Sequence, residues 1–291
     1  MALRIAGSTN KATQTSKLAS QVTKQLQKAI PPLVAIFIFL VIWQILCSSP
    51  TAEFPSPLKI ISDAKVQKYF LNPFLNDDDG KGLAFQLFAS LQRVAYGYFF
   101  AATIGIALGV LTGTNKLMFE ALDPIFQILR TVPPLAWLPI ALSAVPSIGS
   151  VSKSEVAAIF VIFITSVWPI VINTTVGVQQ IPQDYRNVAR VLKLSGHKYF
   201  FKILFPAAVP YIFSGLRIGI GLAWLAIVAA EMVNAGSSDG AGGLGFFIWD
   251  AYNSGDLGQV VLALVYIGLV GLILDRLIGW VASLVVPAEQ K

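Results

Sequence analysis

The sequence has 291 residues, 55% of them hydrophobic and 12% charged, about half the charged share of an ordinary soluble domain. So large an apolar excess excludes an ordinary water-soluble fold: a membrane span takes roughly 20 apolar residues, so this length admits six or seven spans in one membrane domain. The net charge of +6 sits in loops and tails, which argues against a nucleic-acid partner, and a lone cysteine, Cys47, excludes an internal disulfide and a clustered-cysteine metal site.

Residues 1–28 carry Arg4, Lys11, Lys17, Lys24 and Lys28, no acid, and many Ser, Thr and Gln. They cannot bury a core and are expected to form a flexible basic tail on the cytoplasmic side. The membrane domain then runs from 29 to 291. Its first apolar run, 29–47, is too long for a secretory signal and lacks a small-residue cleavage site after it, so it reads as a retained span. Residues 49–82 are polar, with Pro50, Pro55, Pro57, Pro73 and the acidic run Asp77, Asp78 and Asp79. Leu75 and Gln86 stand where a calcium loop needs its first and last acids, which leaves a solvated outer loop.

Further spans are expected at about 84–113, 121–144, 155–177, 207–233 and 258–284, making an all-α, polytopic protein with six transmembrane helices. Gly105, Gly109 and Gly113, four residues apart in the second span, leave one bare face on which a neighbouring helix can approach closely. The loop 178–206 holds Arg186, Arg190, Lys193, Lys198 and Lys202 against the single acid Asp184, whereas 234–257 holds Asp239, Asp250 and Asp256 without a Lys or Arg. This bias agrees with six spans and both termini in the cytoplasm.

Within the basic loop, Tyr185, Val188, Ala189 and Leu192 share one helical face, with Arg186, Asn187, Arg190 and Lys193 elsewhere around it. Periodicity alone leaves open a helix lying on anionic lipid and a helix that docks on a partner. From Asn187 the chain reads NVARVLKLSGHKYFFKILFPAAVP, which resembles the cytoplasmic signature loop of binding-protein-dependent ABC importer permeases. That signature runs Glu-Ala-Ala, three residues, Gly, nine residues, Ile, any residue, Leu, Pro. Ala189, Ile203 and Pro206 fall on it; Asn187, Val188, Lys193 and Phe205 depart from its Glu, first Ala, Gly and Leu.

LRTVPPLAWLPIAL (129–142), SGLRIGIGLAWLAIVAAEM (214–232), FPSP (54–57) and GLG (243–245) are similar to the branch of that family handling nitrate, sulfonates, taurine and bicarbonate, with nitrate and bicarbonate permeases foremost. The resemblance implies a permease subunit without catalytic residues. Its ATPase-coupling loop would contain Tyr185, Asn187, Val188, Ala189, Leu192, Lys193, Gly196, Ile203 and Pro206. It also implies two cytoplasmic ATP-binding subunits that use ATP and Mg, an external substrate-binding protein, two permease subunits, with a homodimer favoured over a related pair, and a plasma-membrane location, with no cofactor or metal on this chain.

The same segments make physical sense on their own. Pro133, Pro134 and Pro139 remove backbone donors and interrupt the third span, and broken helices are tolerated where protein or water satisfies the freed groups. Arg217 lies roughly 16 Å along its helix from Pro206, where a charge costs about 2.5 to 3.5 kcal/mol on insertion scales. Arg130 and Arg217, with Pro133, Pro134 and Glu231, are therefore candidate residues of an anion pathway. The competing reading is an ion pair for Arg217; Glu231, about 21 Å away along the same helix, is too far to supply it.

Arg93 reads as buried near the outer end of its span or reaching to the interface, His197 as solvated, and the formal G-x-G-x-x-G from Gly240 to Gly245 as a turn or re-entrant element, since no strand precedes it. A G-x-x-x-x-G-K-[ST] loop is absent, so ATP hydrolysis would come from other subunits. An ion-coupled secondary transporter is the weaker alternative, since the chain shows no convincing internal repeat and few buried acids, and an intramembrane enzyme lacks a catalytic constellation. Resemblance ranks the cargo as nitrate with nitrite, then bicarbonate, then sulfonate or taurine.

Overall fold

Gly97, Ala101, Gly105, Gly109 and Gly113 recur every fourth residue along one helix, and that stripe decides how the membrane domain packs. The computed structural model describes residues 27, 30–49, 52–77, 80–149, 151–235 and 242–286. The tail expected over 1–28, but for Gln27, and Asp78, Asp79, Asp239 and Gly240 lie outside the described residues. The chain divides into two units, residues 1–67 and 68–291.

In the first unit, α1 (Ile30–Leu46) is an apolar helix that exposes nearly all its side chains. Trp43 near its end stacks against Phe39 and Phe54 at 6.2 and 5.8 Å, and Gln44 Oε1 accepts the Leu58 amide at 3.1 Å. That bond ties α1 to α2 (Pro57–Ser62), which opens on a proline whose missing N–H costs nothing in the first turn. Asp63 accepts the amide of Lys65 at 2.8 Å and starts α3 (Ala64–Leu71), which crosses the boundary between the units. The stretch expected to be a solvated outer loop carries two short helices and, beyond them, a hairpin of two-residue strands, β1 (Asn76–Asp77) and β2 (Gly80–Lys81).

The second unit continues with α4 (Leu83–Thr114), α5 (Lys116–Leu129), α6 (Trp137–Ala144), α7 (Lys153–Gln179), α8 (Gln183–Val191), α9 (Gly196–Tyr199), α10 (Phe205–Asn234), α11 (Leu244–Asn253) and α12 (Leu257–Val285). Lipid tails are as apolar as leucine, so helices in a bilayer associate by close packing and polar contacts, not by escape from water. A methyl added at Gly97 would stand 2.7 Å from Ile162 Cβ, at Gly105 2.9 Å from Ile170, and at Gly113 2.6 Å from Val178. The α4 backbone therefore lies directly on α7, as the glycine spacing suggested, with the stripe one turn longer at Ala101 and another at Gly97. Thr112 and Thr175 share a 2.6 Å hydroxyl bond across the same contact. α10 approaches α7 in the same manner, Gly215 against the Pro169 carbonyl and Gly219 against Ile170. α12 joins α10 through Trp224 Nε1, which donates to the Ile267 carbonyl at 3.0 Å.

Among the described residues, four helical runs have the length and apolarity to cross a membrane: α4, α7, Gly196–Asn234 and α12. α5 and α6 form a fifth candidate span, broken and bent by 92°. α1 adds a shorter apolar helix. The break falls at Arg130–Pro133, short of Pro139, which occupies the first turn of α6 where its amide would have no intrahelical partner. The expected span 207–233 extends back to Gly196, because a π-helical turn at Phe200–Leu204 carries the helix through to Pro206 and Pro210 in the first turns of α10.

The stripe makes a direct demand on volume. Gly109→Leu is expected to lower the thermal midpoint of the solubilised protein, by an overpacking cost of about 1 to 3 kcal/mol or more. Gly279→Ala, where nothing stands within 4 Å, should leave the midpoint unchanged or slightly higher in the same melting assay.

Candidate functional site

Three polar or exposed features of the helical scaffold bear on function: the α8 loop, an open ion pair on α10 and α12, and a buried cluster around Glu231. α8 starts after Pro182 and carries Ala189 inward, 7% exposed. Tyr185, Val188, Val191 and Leu192 are all more than half exposed, so an amphipathic helix presents apolar side chains outward. Asn187 is exposed beside them.

The loop's turn has a defined chemistry. Lys193 adopts φ 46°, the left-handed region that favours glycine. Its amide donates to the Arg190 carbonyl at 3.1 Å and that of Leu194 to the Ala189 carbonyl at 3.0 Å, the paired bonds of a Schellman stop. Lys193 thus stands where the signature has Gly and still forms the turn. Beyond it Gly196 opens α9 in free space, Ile203 and Pro206 are half-buried, and Leu204 packs with Val178, Ile181, Ala208 and Ile212, fastening the loop to the ends of α7 and α10.

Among the candidate pathway residues, Arg130 is the exposed C-terminal cap of α5, its amide bonded to the Phe126 carbonyl at 3.0 Å. Pro133 is exposed and Pro134 begins a single 3-10 turn, Pro134–Ala136. Arg217 does have an acidic partner, from a different helix: its Nε and Nη2 donate to Oδ1 and Oδ2 of Asp275 on α12, both at 2.5 Å. The ion-pair reading set against the pathway is therefore realised, yet the pair stays open, its side chains 54% and 37% exposed.

Glu231, expected on the pathway, is enclosed, 5% exposed. Its Oε1 accepts Arg93 Nη1 at 2.8 Å; its Oε2 accepts Ser90 Oγ at 2.8 Å and the Gly245 amide at 3.0 Å. Arg93, itself buried, also donates to Glu155 at 3.3 Å and to the Gly242 carbonyl at 2.7 Å. Ser90 Oγ accepts the Leu244 amide at 3.0 Å and Gln86 the Gly243 amide at 2.6 Å. The first amides of α11, the positive end of its dipole, thus point at one carboxylate and its polar neighbours. Gly243, at φ 131°, lies so close that a Cβ there would overlap the Glu231 carboxyl group. The glycine run ending at 245 is hence a helix start docked on Glu231. Three donors thus hold the Glu231 carboxylate between α4, α10 and α11.

A family model described as binding-protein-dependent transport system inner membrane component matches residues 101–286. The chain belongs to this family. Among its relatives, the nitrate import permease protein NrtB of Synechocystis sp. is 62% identical over 91% of this chain and 92% of its own, and that of Leptolyngbya laminosa 57% over 95% and 94%. The bicarbonate transport system permease protein CmpB of Synechocystis sp. is 51% identical over 96% and 97%. A chain of the MetNI methionine ABC transporter, solved in inward facing conformations, shares the fold with a TM-score of 0.52 at 18% identity, covering 68% of this chain and 95% of that one.

The protein is accordingly a multi-pass permease of the inner, plasma membrane, and its relatives are transport subunits. Reading its sequence misses Asp275, although an acid inside the apolar run LVGLILDRLIGW was itself a signal. It also misses that Gln86, Ser90 and Arg93, spaced four and three apart, share a face of α4.

Removing one member of a buried charge pair strands the other. Because Glu155 stays beside Arg93, Glu231→Gln is expected to cost less than the about 3 to 5 kcal/mol of a fully stranded buried charge, seen as a lower melting midpoint. At the loop, Lys193→Gly should slow hydrogen exchange of the amides around 185–200 by relieving about 1 kcal/mol of left-handed strain, and Lys193→Val should speed it.

Proposed function

We propose that this permease is the membrane-spanning subunit of an ATP-driven importer of a small inorganic anion, nitrate first, with nitrite alongside it. The observation that carries the choice of cargo is 62% identity, over nine-tenths of both chains, to a protein named for nitrate import. Bicarbonate is the second reading, favoured by 51% identity to a bicarbonate permease over a still larger share of the chain; sulfonate or taurine is more distant. The chain crosses the membrane six times, α1 and the broken α5–α6 pair included, with both termini in the cytoplasm, as the basic loop around α8 supports.

Two copies form the pathway and two separate ATP-binding subunits supply ATP and Mg chemistry, this chain holding no cofactor of its own. An external binding protein delivers the anion. The exposed apolar side of α8 docks in a groove of the ATP-binding subunit, and its Schellman turn fixes the angle at which motion is passed on. ATP binding draws the two α8 loops together and opens the pathway outward; hydrolysis returns it inward. Arg130 and Arg217, next to the interruption at Pro133 and Pro134 and at mid-span of α10, lend positive potential along the way.

The test is reconstitution of the full complex in proteoliposomes with its binding protein. Nitrate-loaded binding protein is expected to stimulate ATP hydrolysis and import. Tyr185→Ala/Val188→Ser, which alters only exposed side chains of α8, should cut that stimulation at least about tenfold without moving the melting midpoint of the permease, each lost tenfold being about 1.4 kcal/mol of docking. Titration of the binding protein with nitrate, nitrite, bicarbonate and taurine decides the cargo; a protein that binds bicarbonate alone reverses the order given above.

A further inference from the structure

The Arg217–Asp275 pair combines features that do not fit a simple helix clasp. Arg217 lies twelve residues into α10 and Asp275 ten residues before the end of α12, roughly 18 and 15 Å from those ends. At that depth a charge facing lipid is strongly disfavoured. Even so, the described residues of one chain leave about half of the Arg217 side chain and a third of the Asp275 side chain uncovered. The helices do not depend on the pair for contact, since Trp224 bonds the Ile267 carbonyl and packs against Gly271 one turn or two away. The geometry is fork against fork: two parallel N–H donors meet two oxygens on one planar, trigonal carbon.

A small planar oxyanion presents the same two oxygens on a trigonal centre. We infer that the Arg217 fork is a binding site for a planar oxyanion in the assembled transporter, and that Asp275 is its built-in competitor, occupying the fork when no anion is present and retaking it to expel the anion. This rests on the function proposed above and adds its mechanism of recognition. Asp275 neutralises Arg217 while the fork is empty. Arg276, beside it and exposed, offers a positive charge near the displaced carboxylate. A guanidinium is suited to this exchange where a lysine is not, because its two donors are fixed in one plane and select for the shape of the anion as well as its charge.

The experiment uses the full complex. Import of nitrate and of bicarbonate by the wild-type proteoliposomes is measured first; if neither is carried, the proposed function fails, whatever the pair does. With import established, calorimetric titration of the solubilised complex, without binding protein, is compared for wild type, Asp275→Asn and Arg217→Gln/Asp275→Asn. Asp275→Asn is expected to bind nitrate about tenfold more tightly than wild type and to release it more slowly, lowering import per ATP hydrolysed. The gain should be several-fold larger for nitrate than for chloride, a spherical ion with no pair of oxygens to offer the fork. Arg217→Gln/Asp275→Asn keeps the charge balanced and is expected to assemble normally, to show no nitrate gain and to import at no more than about a tenth of the wild-type rate. Wild-type import by that double variant would overturn the inference and leave the pair a clasp; so would an equal gain for chloride, or none for nitrate, in Asp275→Asn.

Discussion

Everything else in this permease depends on the close approach of α4 to α7. In a bilayer, apolar side chains gain nothing by leaving lipid for one another, so packing distance and polar contacts must hold the helices. The stripe from Gly97 to Gly113 removes side-chain bulk on one line, and Ile162, Ile170, Thr174 and Val178 fill the space. With α4 held at that distance, Gln86, Ser90 and Arg93 on its face come within hydrogen-bond reach of α10 and of the first turn of α11. The backbone contact thus sets the polar one.

The protein handles its intramembrane charges in two opposite ways. Around Glu231 the carboxylate is surrounded by donors and backbone amides, and Gly243 and Gly245 permit an approach that any side chain would block. A buried, multiply hydrogen-bonded site of this kind favours one arrangement of α4, α10 and α11. Arg217 and Asp275 meet in fork geometry, with Arg276 beside the carboxylate, and their side chains stay 54% and 37% exposed among the described residues. The two sites thus differ in enclosure: one carboxylate is held by several donors inside the helices, the other by an arginine on an open flank.

The α8 loop shows a third way of placing polar and apolar groups. Its helix is short and its outward face apolar, which makes it marginal alone and suited to a partner. Its rigidity comes from both ends: the Schellman bonds on Ala189 and Arg190, and Leu204 set among Val178, Ile181 and Ile212. The π turn at Phe200–Leu204 lets the chain leave the loop and enter a membrane span without a break in the helix.

By itself the sequence determined the membrane domain, the positions of α4, α7, α10 and α12, the interruption before Pro133, the glycine contact and the amphipathic α8, because each is written in local periodicity and composition that lipid enforces residue by residue. Only the tertiary structure decided who meets whom: that Glu231 belongs to Arg93 and the start of α11, that Arg217 belongs to Asp275 fifty-eight residues on, and that Lys193 takes a glycine's conformation. Charge pairing across helices depends on rotation and depth, which no spacing along one helix encodes. A backbone angle such as that of Lys193 is imposed by the hydrogen bonds closing around it, against the preference of the residue itself.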